Sequence, residues 1–368
     1  MQLQRATEDC PVFILVVSDE GGHAAQIEEE LKDQGLDWRI VWTDRAEVAL
    51  TGDWDPDVLV CAARVGASHG RILLGQLRKR HPDAVRILLM DSSSDEDAME
   101  ALEVSHRVLP EPLEALALIE SVESVMELRT LLSDQSLKTA IGRLGSLPAA
   151  PRQYLALTRL LRDPETSSAR VVEAVAKDPA VAAKVLRLTN SAYYSGGREI
   201  SDLRTAVTRL GQNALLQLVL ANEVFSAGAS SADAEAMRDR ALRISQLAGR
   251  LLAGPSAELA STAGLLAEVG LLLPPMPSGD GDGSVTPHGV AGAYLLGLWG
   301  LPSPIVEAVA FHQNPARLRG GFWVAGAVHV AAAIVNGTYV DEGYLRTVGQ
   351  LDRLPRWRSL AEEMAEAA

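Results

Sequence analysis

The sequence is poor in cysteine and in aromatic side chains, with only Cys10 and Cys61 in 368 residues and an aromatic content of 4%. Two cysteines with no paired spacing exclude a disulfide framework and a cysteine-rich zinc site, and predict free thiols. Long apolar runs are also missing, since no uninterrupted stretch reaches the length needed to cross a bilayer. Met1 to Cys10 carries charges and no apolar stretch followed by a small-residue cleavage site, so no export signal is read and a cytoplasmic location is expected. Finally, the chain lacks basic excess. Its formal charge is -14, and residues 1–130 hold 12 Lys+Arg against 26 Asp+Glu, while residues 131–368 hold 22 against 22. Tight nonspecific nucleic-acid binding relies on neutralised phosphates and released counterions, which makes nucleic acid an unfavoured partner. Residues 138–209 are the local exception, with 12 basic and 6 acidic residues.

A hydrophobic fraction of 47% excludes a disordered chain, and the length predicts two domains of ordinary size. The first third alternates apolar strands with amphipathic helices: strands at Val12–Val17, Trp38–Trp42, Val58–Ala62, Arg86–Met90 and Arg107–Leu109, with helices near Ala24–Asp33, Ala46–Leu50, Arg71–Arg80, Glu96–Val104 and after Pro112. Five strands interleaved with five helices predict a doubly wound parallel sheet, with any ligand site at the carboxyl ends of its strands. Asp53, Asp55 and Asp57 read as an exposed acidic loop before the third strand. From Leu137 onward, good helix formers broken by prolines predict a mostly α domain. The fold class is therefore α/β plus all-α, over residues 10–130 and 131–340, with a helical tail at 341–368 anchored by Trp357. The apolar stripe of the helix over 113–132 closes the sheet in its first half; beyond Val125 it could pair two copies as a homodimer.

The text of residues 12–128 resembles the receiver domain of response regulators. Ile14-Leu15-Val16-Val17-Ser18-Asp19-Glu20 stands at the first strand, Pro56-Asp57-Val58-Leu59-Val60 enters the third, and Leu109-Pro110-Glu111-Pro112 matches the terminal Lys-Pro turn. The resemblance implies a flavodoxin-like (βα)5 domain. Receivers accept phosphate on an Asp after the third strand, beside magnesium held by an acidic pair, with a Ser/Thr and a Lys answering the phosphoryl charge. Here the nucleophile position is Ala62, the acidic pair is reduced to Ser18-Asp19, the Ser/Thr position is Met90 and the Lys position is Glu111. Without a carboxylate at Ala62 no aspartyl phosphate can form there.

The helical region resembles the HDOD family, whose fold is related to the metal-dependent HD phosphohydrolases. Gly145-Ser146-Leu147-Pro148, Asp178-Pro179, Asn190-Ser191-Ala192-Tyr193-Tyr194 and Leu210-Gly211 carry the likeness, which runs from about Leu137 to Asn336. Where an HD hydrolase sets its His-Asp pair, this chain has Ala267-Glu268. His288 and His312 stand at positions resembling hydrolase histidines, yet His312 is followed by Gln313 and no late Asp follows His329. They are weak metal candidates, and capping or ending a helix is the ordinary role for both. Asp178 reads as a helix start with Pro179 in its first turn, and Asn190 and Ser191 as local backbone binders. Tyr193 and Tyr194 could stack on a base but more ordinarily fill a core. Arg143, Arg152, Arg159, Lys184, Arg187, Arg204 and Arg209 could form an anion-binding face, the default being solvated helix surfaces.

Three readings follow. The first is a non-enzymatic regulatory adaptor, needing no cofactor, that binds other signalling proteins; the face that receivers commonly use, made of the fourth helix and the fifth strand and helix, would act without phosphorylation. The second is an effector of a cyclic dinucleotide. The third is a residual phosphodiesterase using Glu268, His288 and His312.

Overall fold

The computed structural model describes residues 12–19, 24–90, 101–102, 104–131, 141, 157, 160–161, 166–191, 194, 199–223, 232–273, 287–317 and 321–366. The chain divides into two compact units, Met1–Glu123 and Ser124–Ala368. No helix among the described residues is long and apolar enough to cross a membrane.

In the first unit β1 (Phe13–Val17), α1 (Ala24–Asp33), β2 (Arg39–Thr43), α2 (Ala46–Thr51) and β3 (Val58–Cys61) are followed by a small hairpin, β4 (Arg64–Val65) and β5 (Ser68–His69). Then come α3 (Gly70–Arg80), β6 (Val85–Met90), β7 (Arg107–Pro110) and α4 (Ala115–Leu131). The five long strands are parallel in the order β2-β1-β3-β6-β7, the arrangement of a flavodoxin-like α/β domain. Ile14–Val17 and Val58–Cys61 are buried throughout, because a parallel sheet is covered on both faces and its inner strands read as continuous apolar runs rather than alternating ones. The strand order reverses between β1 and β3, which leaves a crevice at their carboxyl ends.

Predicted strand ends differ from the observed ones by about a residue, as hydrogen bonding rather than hydropathy sets them. The hairpin is a departure. The sequence reads straight from β3 into α3, whereas Arg64 pairs with His69 and Val65 with Ser68 around Gly66, whose φ of 57° suits a glycine. Asp57 departs too, for its Oδ2 accepts the Phe13 N–H at 3.0 Å and ties the entry of β3 to β1. In α4 the residues Leu118, Ile119, Val122 and Val125 are buried, while Leu116 is exposed. Most of the predicted helix at Glu96–Val104 and the side chains of α4 beyond Met126 lie outside the described residues.

The second unit is helical: α5 (Ser168–Ala176), α6 (Pro179–Thr189), α7 (Leu203–Glu223), α8 (Ala232–Leu251), α9 (Pro255–Leu266), α10 (Pro287–Leu298), α11 (Ser303–Phe311), α12 (Val324–Val335), α13 (Glu342–Thr347) and α14 (Leu354–Glu366). Every residue of α6 is buried. It starts at Asp178, whose carboxylate accepts the N–H groups of Ala180 and Val181, with Pro179 in the first turn where a missing N–H costs nothing. Gly211, at φ 72° and ψ 173°, interrupts α7 in a backbone region essentially reserved for glycine. The helix α12 is rich in alanine, valine and glycine, and residues Val324–Ala333 are all buried, so α8, α9 and α11 pack against it from several sides. At the carboxyl end Trp357 is buried and stacks on Phe322 with centroids 5.1 Å apart. The Pro-Gly-Asp segment between Leu273 and Pro287 lies outside the described residues.

Candidate functional site

Two groups of residues were singled out by sequence, and each lies within one unit. In the first, Ser18, Asp19, Ala62, Met90 and Glu111 all stand at the carboxyl ends of strands, where a ligand of such a sheet would sit. The Ser18 N–H donates to the Thr43 carbonyl and the Ala62 N–H to the Val17 carbonyl. Both oxygens of Asp19 accept the Gly66 N–H, at 3.1 and 2.9 Å, so the remaining acid of the pair is engaged with the hairpin rather than simply solvated. At Gly70 a Cβ would stand 1.8 Å from the Ala62 carbonyl oxygen, so α3 begins directly against Ala62. The Glu111 N–H donates to the Met90 carbonyl. Burial, with the Glu111 carboxylate second, pushes the Cys61 thiol up to about 12, which leaves it protonated and unreactive.

In the second unit Asn190 stitches the end of α6 to the chain entering α7. Its Oδ1 accepts the Ile200 N–H at 2.8 Å and its Nδ2 donates to the carbonyls of Leu186 and Ile200. Ser191 Oγ donates to the Leu188 carbonyl at 2.6 Å. Tyr194 is buried; Tyr193, Arg143, Arg152 and Arg159 lie outside the described residues.

The expected solvated arginine face is corrected here. Arg204 and Arg209 are exposed, but Lys184 and Arg187 are interior residues of α6. The Arg187 guanidinium lies 4.7 Å from the centre of the Trp299 ring, a cation–π contact that replaces part of its lost hydration. Burial pulls the Lys184 ammonium down to about 8, opposed by the Asp178 carboxylate and aided by Arg187. These two cations are therefore not on the surface to meet an anionic ligand.

The residues that the sequence reading set at the place of a hydrolase metal site form a polar cluster. Ala267 and Glu268 are buried at the end of α9. Glu268 Oε1 accepts from Asn336 Nδ2 at 2.6 Å, and Oε2 lies 3.5 Å from Arg240 Nε. His288, in the first turn of α10, has its Nε2 3.2 Å from Gln313 Nε2, which makes that ring nitrogen the acceptor of the amide proton. Burial lowers its basicity and the Glu268 carboxylate opposes this. His312 caps the end of α11, donates Nδ1–H to the Val309 carbonyl at 2.9 Å, and keeps its buried Nε2 without a hydrogen-bond partner. Burial pushes it down to about 4, against the pull of the Val309 carbonyl and with the help of His288 and His329.

The His288 and His312 rings are 6.3 Å apart and tilted. Among the described residues no group of three or more His, Cys, Asp or Glu side chains is placed to hold a metal ion. Of the residual metal set read from the sequence, Glu268 with His288 and His312, the carboxylate contacts Asn336 and Arg240.

Sequence reasoning assigned no contact to Asn336, His329 or Gly270. His329 donates Nδ1–H to the His312 carbonyl at 2.6 Å and accepts the Asp341 N–H at Nε2. At Gly270 a Cβ would stand 1.9 Å from the His288 carbonyl oxygen, so only a glycine lets the turn at Val269–Leu272 press against the start of α10. The one local signal was Gly270 itself, two residues beyond Glu268.

Comparison with known proteins bears on these placements. Residues 147–274 match the HDOD domain model. An uncharacterized protein of Treponema pallidum (strain Nichols) is 25% identical over 202 residues, which cover 47% of this chain and 38% of that protein. The match thus spans well under half of that relative's length. Among solved structures, the MmoQ response regulator from Methylococcus capsulatus str. Bath superposes with a TM-score of 0.46 at 22% identity, covering 58% of this chain and 98% of that one. An HDOD domain protein with unknown function from Geobacter sulfurreducens gives 0.28 at 17%, covering 67% and 98%. The family match does identify one part of the molecule: residues 147–274 are an HDOD domain.

Proposed function

We propose that the chain is a non-catalytic signalling protein, a receiver-type domain unable to accept phosphate joined to an HDOD module without hydrolytic chemistry, and that it acts by binding other signalling proteins. The observation that carries this reading is the capture of Glu268 by Asn336 and Arg240. A hydrolase needs several ligands converging on a cation and an open position for water. Here the one carboxylate at that place accepts the Asn336 amide at Oε1, while its buried Oε2 makes no hydrogen bond and lies at ion-pair distance from Arg240. The engagement of Asp19 with Gly66 and the replacement of the nucleophile by Ala62 support the same conclusion for the first unit. Contacts with partners, rather than phosphoryl transfer, would then change the protein's state.

The test uses the full chain. It is incubated with acetyl phosphate and magnesium, and separately with manganese and a cyclic dinucleotide, and partners from the native bacterium are identified with and without the phosphodonor. The expected result is no phosphoprotein, no dinucleotide turnover, and a reproducible partner whose retention ignores the phosphodonor. Turnover abolished by Glu268→Gln would overturn the reading.

A further inference from the structure

A cleft of about 310 Å³ opens between α5 and α7, two helices that pack against each other within the HDOD domain. Its floor is aliphatic and buried, with Val171 from α5 and Val207 and Leu215 from α7. Its rim is polar and exposed, with Ser168 at the start of α5 and Thr208 on α7. Gly211 lines the same cleft. Its φ of 72° and ψ of 173° interrupt α7 in a region essentially reserved for glycine, yet nothing lies within 4 Å of the place a Cβ would take. Crowding therefore does not impose this backbone, and departures of that kind gather at ligand clamps and other functional sites.

The lining selects a class of ligand. Among the described residues that form the cleft there is no Lys, Arg, His, Asp or Glu. A charge brought there would lose hydration without gaining a partner, so the group that enters is uncharged. Gln212 donates one amide N–H to the Thr166 carbonyl at 3.3 Å, which leaves it a second N–H and a carbonyl oxygen. The Thr208 hydroxyl donates to the Arg204 carbonyl at 2.8 Å and so offers the cleft an acceptor. Aliphatic walls on two helices suit the faces of a flat ring, and a donor with an acceptor on one amide suits its polar edge. We propose that the cleft binds an uncharged planar heterocycle of the nucleobase class, with its ring between Val171 and the Val207 and Leu215 side chains and its edge on Gln212. A sugar attached to that ring would stay at the rim, beside Ser168 and Thr208. Ligand pockets range over about 300–1,000 Å³, and this one is at the small end, so a single ring system enters rather than a whole dinucleotide. Binding of this kind breaks no bond, and it goes beyond the adaptor reading without resting on it.

Methyl resonances of the full chain test the site, with guanosine and adenosine as probes and ribose 5-phosphate as the control that lacks a base. At least one nucleoside should shift the Val171, Val207 and Leu215 methyls saturably, while those of α9 and α12 stay in place. Gln212→Ala should weaken that binding about tenfold, the loss expected for a hydrogen bond made in a half-buried site. Ser168→Trp closes the mouth from an exposed position, and should abolish binding without lowering the melting temperature. The proposal is overturned if neither nucleoside gives a saturable shift at millimolar concentration, or if ribose 5-phosphate shifts the same methyls equally. Undiminished binding in a folded Ser168→Trp chain would overturn it as well. Should that variant fail to fold, Gln212→Ala and the base-free control decide the matter, and unchanged affinity in Gln212→Ala counts against the site.

Discussion

The Asp19 carboxylate accepts the Gly66 N–H through both of its oxygens, joining the end of β1 to the tip of the β4–β5 hairpin. In a receiver an acid at this position would face a cation. Here it orders a turn at the mouth of the sheet, where the hairpin lies over the carboxyl ends of β1 and β3. Asp19→Ala should free the hairpin at small cost, roughly 1 kcal/mol or less for an exposed charge-assisted bond. Urea unfolding should register that small loss, and amide exchange at residues 64–69 should rise well beyond the global change.

Asn336 is the donor that satisfies Glu268 Oε1. Asn336→Leu leaves a buried carboxylate oxygen unpaired and should destabilise the helical unit by about 1–3 kcal/mol. Asn336→Asp places a second acid against Glu268. Its melting temperature should fall further at neutral pH and recover partly toward pH 5, as one carboxyl takes a proton.

His312 makes stability depend on acidity. Its folded-state value, about 4, lies below the value of about 6.5 expected when unfolded. Above about pH 6.5 both states are neutral and the histidine adds no pH dependence. Between about 6.5 and 4 the unfolded chain binds the extra proton, so stability falls as pH falls, by up to about 1.4 kcal/mol per unit and roughly 3 kcal/mol in all. Denaturant unfolding at several pH values should follow that slope, and His312→Phe should flatten it. A wild-type curve level through this window would contradict the buried neutral ring.

Two glycines should respond differently to alanine. Gly211 has open space around its missing Cβ, so Gly211→Ala costs only the backbone strain of its φ and ψ, roughly 1–3 kcal/mol. Gly270 has ordinary room in φ but none for a Cβ, which would collide with the His288 carbonyl. Gly270→Ala must push α10 away. It should lower the melting temperature at least as much and also shift the ring resonances of His288, which Gly211→Ala should leave in place.

The order of elements in the first unit and the start of α6 were readable from residue types. A strand buried on both faces needs a continuous apolar run such as Ile14–Val17, and an Asp-Pro pair before an apolar run supplies both a cap and a compatible first turn. That Ala62 carries no carboxylate and that Ala267-Glu268 is not a His-Asp pair was equally legible, because residue types are read directly from the sequence. The hairpin escaped notice because two-residue strands carry no period to detect.

What sequence alone determined is therefore the set of available groups: which strands and helices can form, and which acids, bases and nucleophiles are missing. Tertiary structure decided how the remaining groups are used. Asp19 meets Gly66 across 47 residues, Glu268 meets Asn336 across 68, and Arg187 turns inward because Trp299, from a distant helix end, covers its guanidinium. Such pairings depend on chain segments brought together by burial of apolar surface, which is non-directional and leaves no local mark on the residues it unites.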